Sequence, residues 1–199
     1  MLAGTATDRR RWAARVGWMR RRKEWDSYLS AHDHASVLFA FVRILPGLDG
    51  ETYWRLFREV WERTESFSPR ELFVKLLRIH PEQRHAMMTE AERAQLASMP
   101  NAFDVYRGVG NRQYLSGFSW TTDQARAEVF ARRLLDDPLA AVVRLGRGFD
   151  PVHQADPIVA HGTVRRADVI AYLDEREEHE IVTLPEHVSI RSQGAPKAG

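Results

Sequence analysis

Over the first hundred residues the apolar positions recur every three or four residues, the spacing that gives a helix one buried face. Trp12, Val16 and Met19 begin this pattern, with Arg15 on the same spacing and Trp18 between them. Trp25, Tyr28 and Leu29 continue it at i, i+3 and i+4, and Val37, Leu38, Phe41, Val42 and Leu45 form a further face. Pro46-Gly47 and Asp49-Gly50 then punctuate the chain. Tyr53, Trp54, Phe57, Val60 and Trp61 make an aromatic stripe, read as core because large rings dominate buried area. Ser68-Pro69 opens the next helix with proline at its first position, where a missing N–H costs nothing. Thr89-Glu90-Ala91-Glu92 is a capping box, in which hydroxyl and carboxylate each satisfy an exposed backbone donor. The short helix it starts ends at Met99-Pro100.

Beyond Pro100 the period shortens to two. Phe103–Tyr106, Phe118–Thr122, Ala140–Leu145, Ile158–Val164, Val169–Tyr172, Glu180–Leu184 and His187–Arg191 read as short strands. One helix interrupts them, capped at Thr122-Asp123 and running through Ala125, Val129, Phe130 and Leu134 to near Asp137-Pro138. Residues 192–199 are polar, contain glycine and proline, and read as a flexible tail. The fold class is therefore α+β. A helical N-terminal segment (1–100) precedes a compact mixed-β unit (101–191), with the boundary near residue 100.

Charge changes this picture at the N-terminus. The first 23 residues carry +7 and the remainder −5, so the overall +2 hides a basic arm on an acidic body. Such an arm, Arg9–Lys23, suits phosphate backbones or an acidic partner, or docks on the protein's own acidic surface. There is no cysteine, which excludes disulfides, thiolate catalysis and cysteine zinc sites and fits a cytoplasmic setting. No run of 18 apolar residues is present and the N-terminus does not read as a secretory signal, so no membrane association is expected.

The candidate chemistry lies in three pieces: Tyr106-Arg107-Gly108, Gly117-Phe118-Ser119-Trp120-Thr121 and Arg176–Glu180. Singly they read as a strand end, a half-buried strand and a solvated charge run. Together they set Arg, Ser and Glu on successive strand edges, with Glu180 directly before the apolar Ile181-Val182. A carboxylate entering a buried strand needs a partner, and Arg107 or Ser119 supplies one. His32-Asp33-His34 reads as a helix-start loop rather than a metal site, and Gly146-Arg147-Gly148 lacks the Gly-Lys-Ser/Thr of a phosphate loop.

The ordered Arg–Ser–Glu constellation resembles that of NAD-dependent mono-ADP-ribosyltransferases, in particular short phage and bacterial members, over roughly residues 100–190. The resemblance implies a split β-sandwich and a site for NAD as co-substrate, with no metal. Splitting NAD at the nicotinamide–ribose bond builds positive charge on the ribose, so the site needs a diphosphate grip, an oriented ribose and a nearby carboxylate. By the resemblance Arg107 anchors the diphosphate with its planar fork. Gly108 lets the nicotinamide amide approach the backbone. Ser119, with Trp120 and Thr121, orients the ribose and Glu180. Glu180 stabilises the oxocarbenium, and Glu178 polarises the acceptor. Only 11 residues separate Arg107 from Ser119, room for a loop and not for a substantial helix. Trp120, Phe118 and Tyr114 are the candidates to stack on nicotinamide, with at least one expected to be core. The acceptor is a macromolecule, protein or RNA/DNA. The resemblance also implies a toxin or phage-conflict effector, with a neutralising partner. The rival readings are an NAD glycohydrolase and a non-catalytic nucleic-acid or partner-binding module led by residues 9–23.

Overall fold

The computed structural model describes residues 6–64, 69–136, 156–174 and 177–196, and these form an α+β protein. The chain divides into two units, Met1–Met87 and Met88–Gly199. No described helix is long and apolar enough to cross a membrane.

The first unit is helical. It contains α1 (Ala6–Arg21), α2 (Trp25–Ser30), α3 (Val37–Ile44), α4 (Gly50–Arg63) and α5 (Arg70–Leu76), with 3-10 turns at Leu45–Gly47 and Pro81–Met87. The aromatic stripe is core, as the sequence predicts: Tyr53, Trp54, Phe57, Val60 and Trp61 on α4 are all buried. Phe41 of α3 meets Tyr53 and Phe57 at ring separations of 5.2 and 5.6 Å. The polar tips of these rings find backbone partners, Tyr53 Oη donating to the Leu76 carbonyl and Trp54 Nε1 to that of His80, both at 2.8 Å. Burial thereby removes apolar area from water without orphaning a donor. Asp49 caps α4 by accepting from the Thr52 amide at 2.9 Å. Pro69 stands at the N-cap of α5, one position before the first helical residue expected for it, with an extended ψ of 136°.

The second unit begins with α6 (Glu90–Ser98), whose capping box forms as predicted. The Thr89 amide donates to Glu92 Oε2 at 2.7 Å, and the Glu92 amide to Thr89 Oγ1 at 3.2 Å. Arg166 closes the other end of α6 by donating to the carbonyls of Ala97 and Met99, each at 2.6 Å. The strands are β1 (Ala102–Val109), β2 (Ser119–Thr121), β3 (Ile158–Arg165), β4 (Val169–Leu173), β5 (Glu180–Thr183) and β6 (Val188–Gly194), with α7 (Gln124–Asp136) between β2 and β3. They form one open sheet in the order β4-β5-β2-β1-β3-β6, every neighbouring pair antiparallel. α7 packs on β1, β2 and β3, and α6 on β4.

Three expectations are corrected or left open. The units part at Met87/Met88, upstream of the composition change near residue 100, because α6 packs on β4. Ser192–Gly194, predicted as tail, belong to β6 and pair with β3, Val159 facing Gly194. An edge strand is held by its backbone ladder and needs no apolar side chains there, which is why composition misleads. The expected strand at Ala140–Leu145 lies outside the described residues.

Candidate functional site

The three strands that carry the sequence motifs are consecutive in the sheet, β5-β2-β1. Thr121 of β2 faces Tyr106 of β1 on one side and Glu180 of β5 on the other. Opposed residues present their side chains on one face, so Tyr106, Thr121 and Glu180 form a transverse row. It extends to His161 of β3, whose ring stacks on Tyr106 at 4.9 Å. Ser119 lies two residues from Thr121 and shares its face; Arg107, next to Tyr106, starts from the other. Among the described residues β1 and β2 share a single register pair, whereas β1 and β3 share eight. The sheet is thus narrowly joined where the motif strands meet.

Arg107 reinforces that junction. Its Nη2 donates to the Tyr114 carbonyl at 3.1 Å and its Nη1 to the Ser119 carbonyl. Gly117 makes room for the guanidinium: a Cβ there would lie 2.7 Å from Arg107 Nε and closer still to Cζ. The segment between them contains one 3-10 turn, Arg112–Tyr114, in keeping with the short spacing. Arg107 and Ser119 therefore meet, through the serine's carbonyl and not its hydroxyl.

The remaining predicted residues sort by what they touch. Gly108 is required by helix packing. A Cβ on it would fall 2.8 Å from the Ala131 amide nitrogen of α7 and inside the Ala127 carbonyl. The close approach that glycine allows is made by α7. Trp120 is 3% exposed and its Nε1 donates to the Gly117 carbonyl at 3.3 Å, so its ring offers no stacking face. Phe118 is buried too, and of the three aromatic candidates Tyr114 alone is exposed, at 50%. Thr121 is buried and binds the glutamate loop: its Oγ1 donates to the Glu178 carbonyl at 2.8 Å and accepts from the Asp123 amide at 3.0 Å. The Thr122 amide donates to the His179 carbonyl at 3.2 Å, a second tie between the same loop and β2. Glu178 and Glu180 are both half-buried.

A cleft of about 840 Å³ opens beside this junction. Tyr106, Thr122 and Asp123 line it, with Tyr172, Asp174 and His179. None of the seven predicted residues lines it; their chain neighbours Tyr106, Thr122 and His179 do. Here sits a polar group that sequence reasoning missed. His179 Nδ1 lies 2.8 Å from Asp174 Oδ1 and 3.0 Å from the Tyr172 hydroxyl. A carboxylate only accepts, so Nδ1 carries a proton in the first contact, which in the neutral form of the ring makes Nε2 the acceptor. The Asp174 amide donates in turn to Glu92 Oε1 at 2.9 Å, tying the group to the α6 capping box. Burial, followed by the charge of Asp174, pushes the Tyr172 phenol up to about 12. The one signal in the sequence was His179 between the two glutamates. Its positioning was invisible, because Glu177 and His179 adopt φ of 54° and 47° without being glycine.

Comparison with protein-family models, with curated proteins and with solved structures found no match to this chain.

Proposed function

We propose that this protein is a mono-ADP-ribosyltransferase that cleaves NAD and transfers ADP-ribose to a macromolecular acceptor. The observation that carries the reading is the adjacency of β5, β2 and β1. It sets Glu180 against Thr121 and Arg107 against Ser119, beside a cleft within the roughly 300–1,000 Å³ of small-molecule sites. The narrow β1–β2 junction is compatible with the split β-sandwich implied by the motif resemblance.

The chemistry asks little of the protein beyond charge placement. The bond from ribose C1′ to the nicotinamide nitrogen breaks, and nicotinamide leaves with the electron pair. Glu180 offsets the positive charge on the ribose, and Ser119, on the same face, orients it. The acceptor nucleophile then bonds to C1′ and gives up a proton. Glu178 polarises that nucleophile. His179, held by Asp174, supplies a base at Nε2. A diphosphate reaches Arg107 by displacing the carbonyl of Tyr114, which lies on the exposed 3-10 turn.

Incubation of the protein with NAD labelled in its adenylate half and a cell extract tests this directly. Transfer gives label on a macromolecule, removed by protease or by nuclease according to the acceptor, and lost in Glu180→Gln. Free ADP-ribose as the sole product makes the enzyme an NAD glycohydrolase. Intact NAD after prolonged incubation overturns the catalytic reading.

A further inference from the structure

The outward face of α1 belongs to the first unit and plays no part in the chemistry above. Val16 and Met19 are its buried residues. Trp12 lies beside them, its Nε1 donating to the Ala31 carbonyl at 3.3 Å and its ring 5.5 Å edge-on from His32. The rest of its surface is arginine-rich. Arg11, Arg15, Trp18 and Arg22 follow at i, i+4, i+7 and i+11, one ridge along the helix. Arg10 and Arg21 fall on the neighbouring row, with Ala14 and Gly17 between them. All five of these arginines are exposed, and Trp18 stands among them 47% exposed. The Arg22 guanidinium lies 4.8 Å over the Trp18 ring and also pairs with Glu24 at 3.1 Å.

We infer that this face of α1 binds single-stranded nucleic acid, its arginines pairing with phosphates and Trp18 stacking on a base. Arginines recurring along a ridge match the regular charge of a phosphodiester chain. An exposed indole surrounded by cations is a stacking platform on which any base presents a π-face, with arginine adding cation–π attraction. A membrane surface is a poorer occupant. A helix lying on a bilayer inserts a free apolar face, and on α1 that face is buried within the first unit by Val16 and Met19. An acidic protein segment would pair with the arginines but leave the central tryptophan without a partner of matching shape. The inference is independent of the NAD chemistry, which lies in the second unit.

The test uses the full chain and fluorescein-labelled single-stranded RNA and DNA of mixed sequence, read by anisotropy over a salt series. Each neutralised phosphate adds about −0.7 to the slope of log K against log salt. Contact with roughly three to five phosphates therefore gives a slope of about −2 to −3.5. Trp18→Ala is expected to weaken binding about tenfold at unchanged slope, and Trp18→Phe to restore most of it. Replacing Arg10, Arg11, Arg15 and Arg21 together by Gln is expected to flatten the slope, with far-UV circular dichroism reporting that α1 persists. Equal affinity of Trp18→Ala and the parent overturns the inference. So does a flat salt response, or equal binding to phosphatidylserine vesicles or to polyglutamate. NAD cleavage is measured on the same variants, and its presence or absence leaves this result unchanged.

Discussion

The two units spend their polar groups differently. In the first, the hydrogen bonds of the core aromatics run outward to nearby carbonyls, Tyr53 to Leu76 and Trp54 to His80, and the rings do the packing. In the second, the polar side chains of the motif strands tie loops to strands. Thr121 holds the Glu178 loop, Arg107 holds the Tyr114 turn to β2, and Glu92 joins α6 to Asp174. A stripe of large apolar rings needs only shape and burial, so its residues tolerate chemically similar replacements. A site assembled from loops needs named donors and acceptors at fixed places, because a lost partner leaves a buried group unsatisfied. The difference locates stability in the ring stripe of one unit and candidate chemistry in the polar lacing of the other.

The sharpest way to break that contrast is at Phe57, which is fully buried against Phe41, Tyr53, Trp54 and Trp61. Phe57→Ala removes a ring from a packed cluster and is expected to cost about 3–5 kcal/mol. Hydrogen exchange of the α3 and α4 amides measures it. A loss below about 1 kcal/mol would show that the stripe does not hold this unit together. Next in size is Glu180→Gln, which keeps shape and removes charge. Transfer is expected to fall about 10²–10³-fold, while the melting temperature moves by less than about 2 °C. A large drop in melting temperature with full activity would reverse the roles given to the two units.

Gly108→Ala probes whether backbone contact with α7 matters as much as the polar ties. The added methyl meets the Ala127 carbonyl and the Ala131 amide, neither of which can rotate away as a side chain could. A cost of about 1–3 kcal/mol is expected from urea unfolding. A neutral effect would mean that α7 shifts freely on the sheet.

These cases also show what could be read from the chain. The α4 stripe and the Thr89–Glu92 capping box follow from local rules, since spacing and hydroxyl–carboxylate pairing act within one or two turns. Alternation marked Phe103–Tyr106 and Ile158–Val164, which lie within the strands Ala102–Val109 and Ile158–Arg165. Arg107, Ser119 and Glu180 were singled out by residue type, and their strands do adjoin. What alternation could not give was register across strands far apart in sequence. It sets Glu180 opposite Thr121 and puts Arg107 on Ser119's carbonyl. At Gly108 the sequence shows only that something comes close, and that α7 does so was not legible in it. His179 and Asp174 were missed because their contact depends on left-handed turns at non-glycine residues.

The smallest expected effect at neutral pH is Tyr172→Phe. The phenol is buried, and burial together with Asp174 raises it to about 12. An unfolded tyrosine ionises near 10. The folded protein therefore keeps a proton that the unfolded chain has lost between these values, and stability falls as pH rises through that window. Below about pH 10 both states are protonated and the contribution is complete. Phenylalanine has no proton to lose, so Tyr172→Phe is expected to remove part of the alkaline slope between about pH 10 and 12. At pH 7 it removes one contact to His179, a change of about 1 kcal/mol or less. Urea midpoints of parent and variant measured across pH 8 to about 12 give the comparison. Parallel curves would mean that Tyr172 ionises as freely in the folded cleft as in water, and that the second unit does not withhold this part of its polar group from solvent.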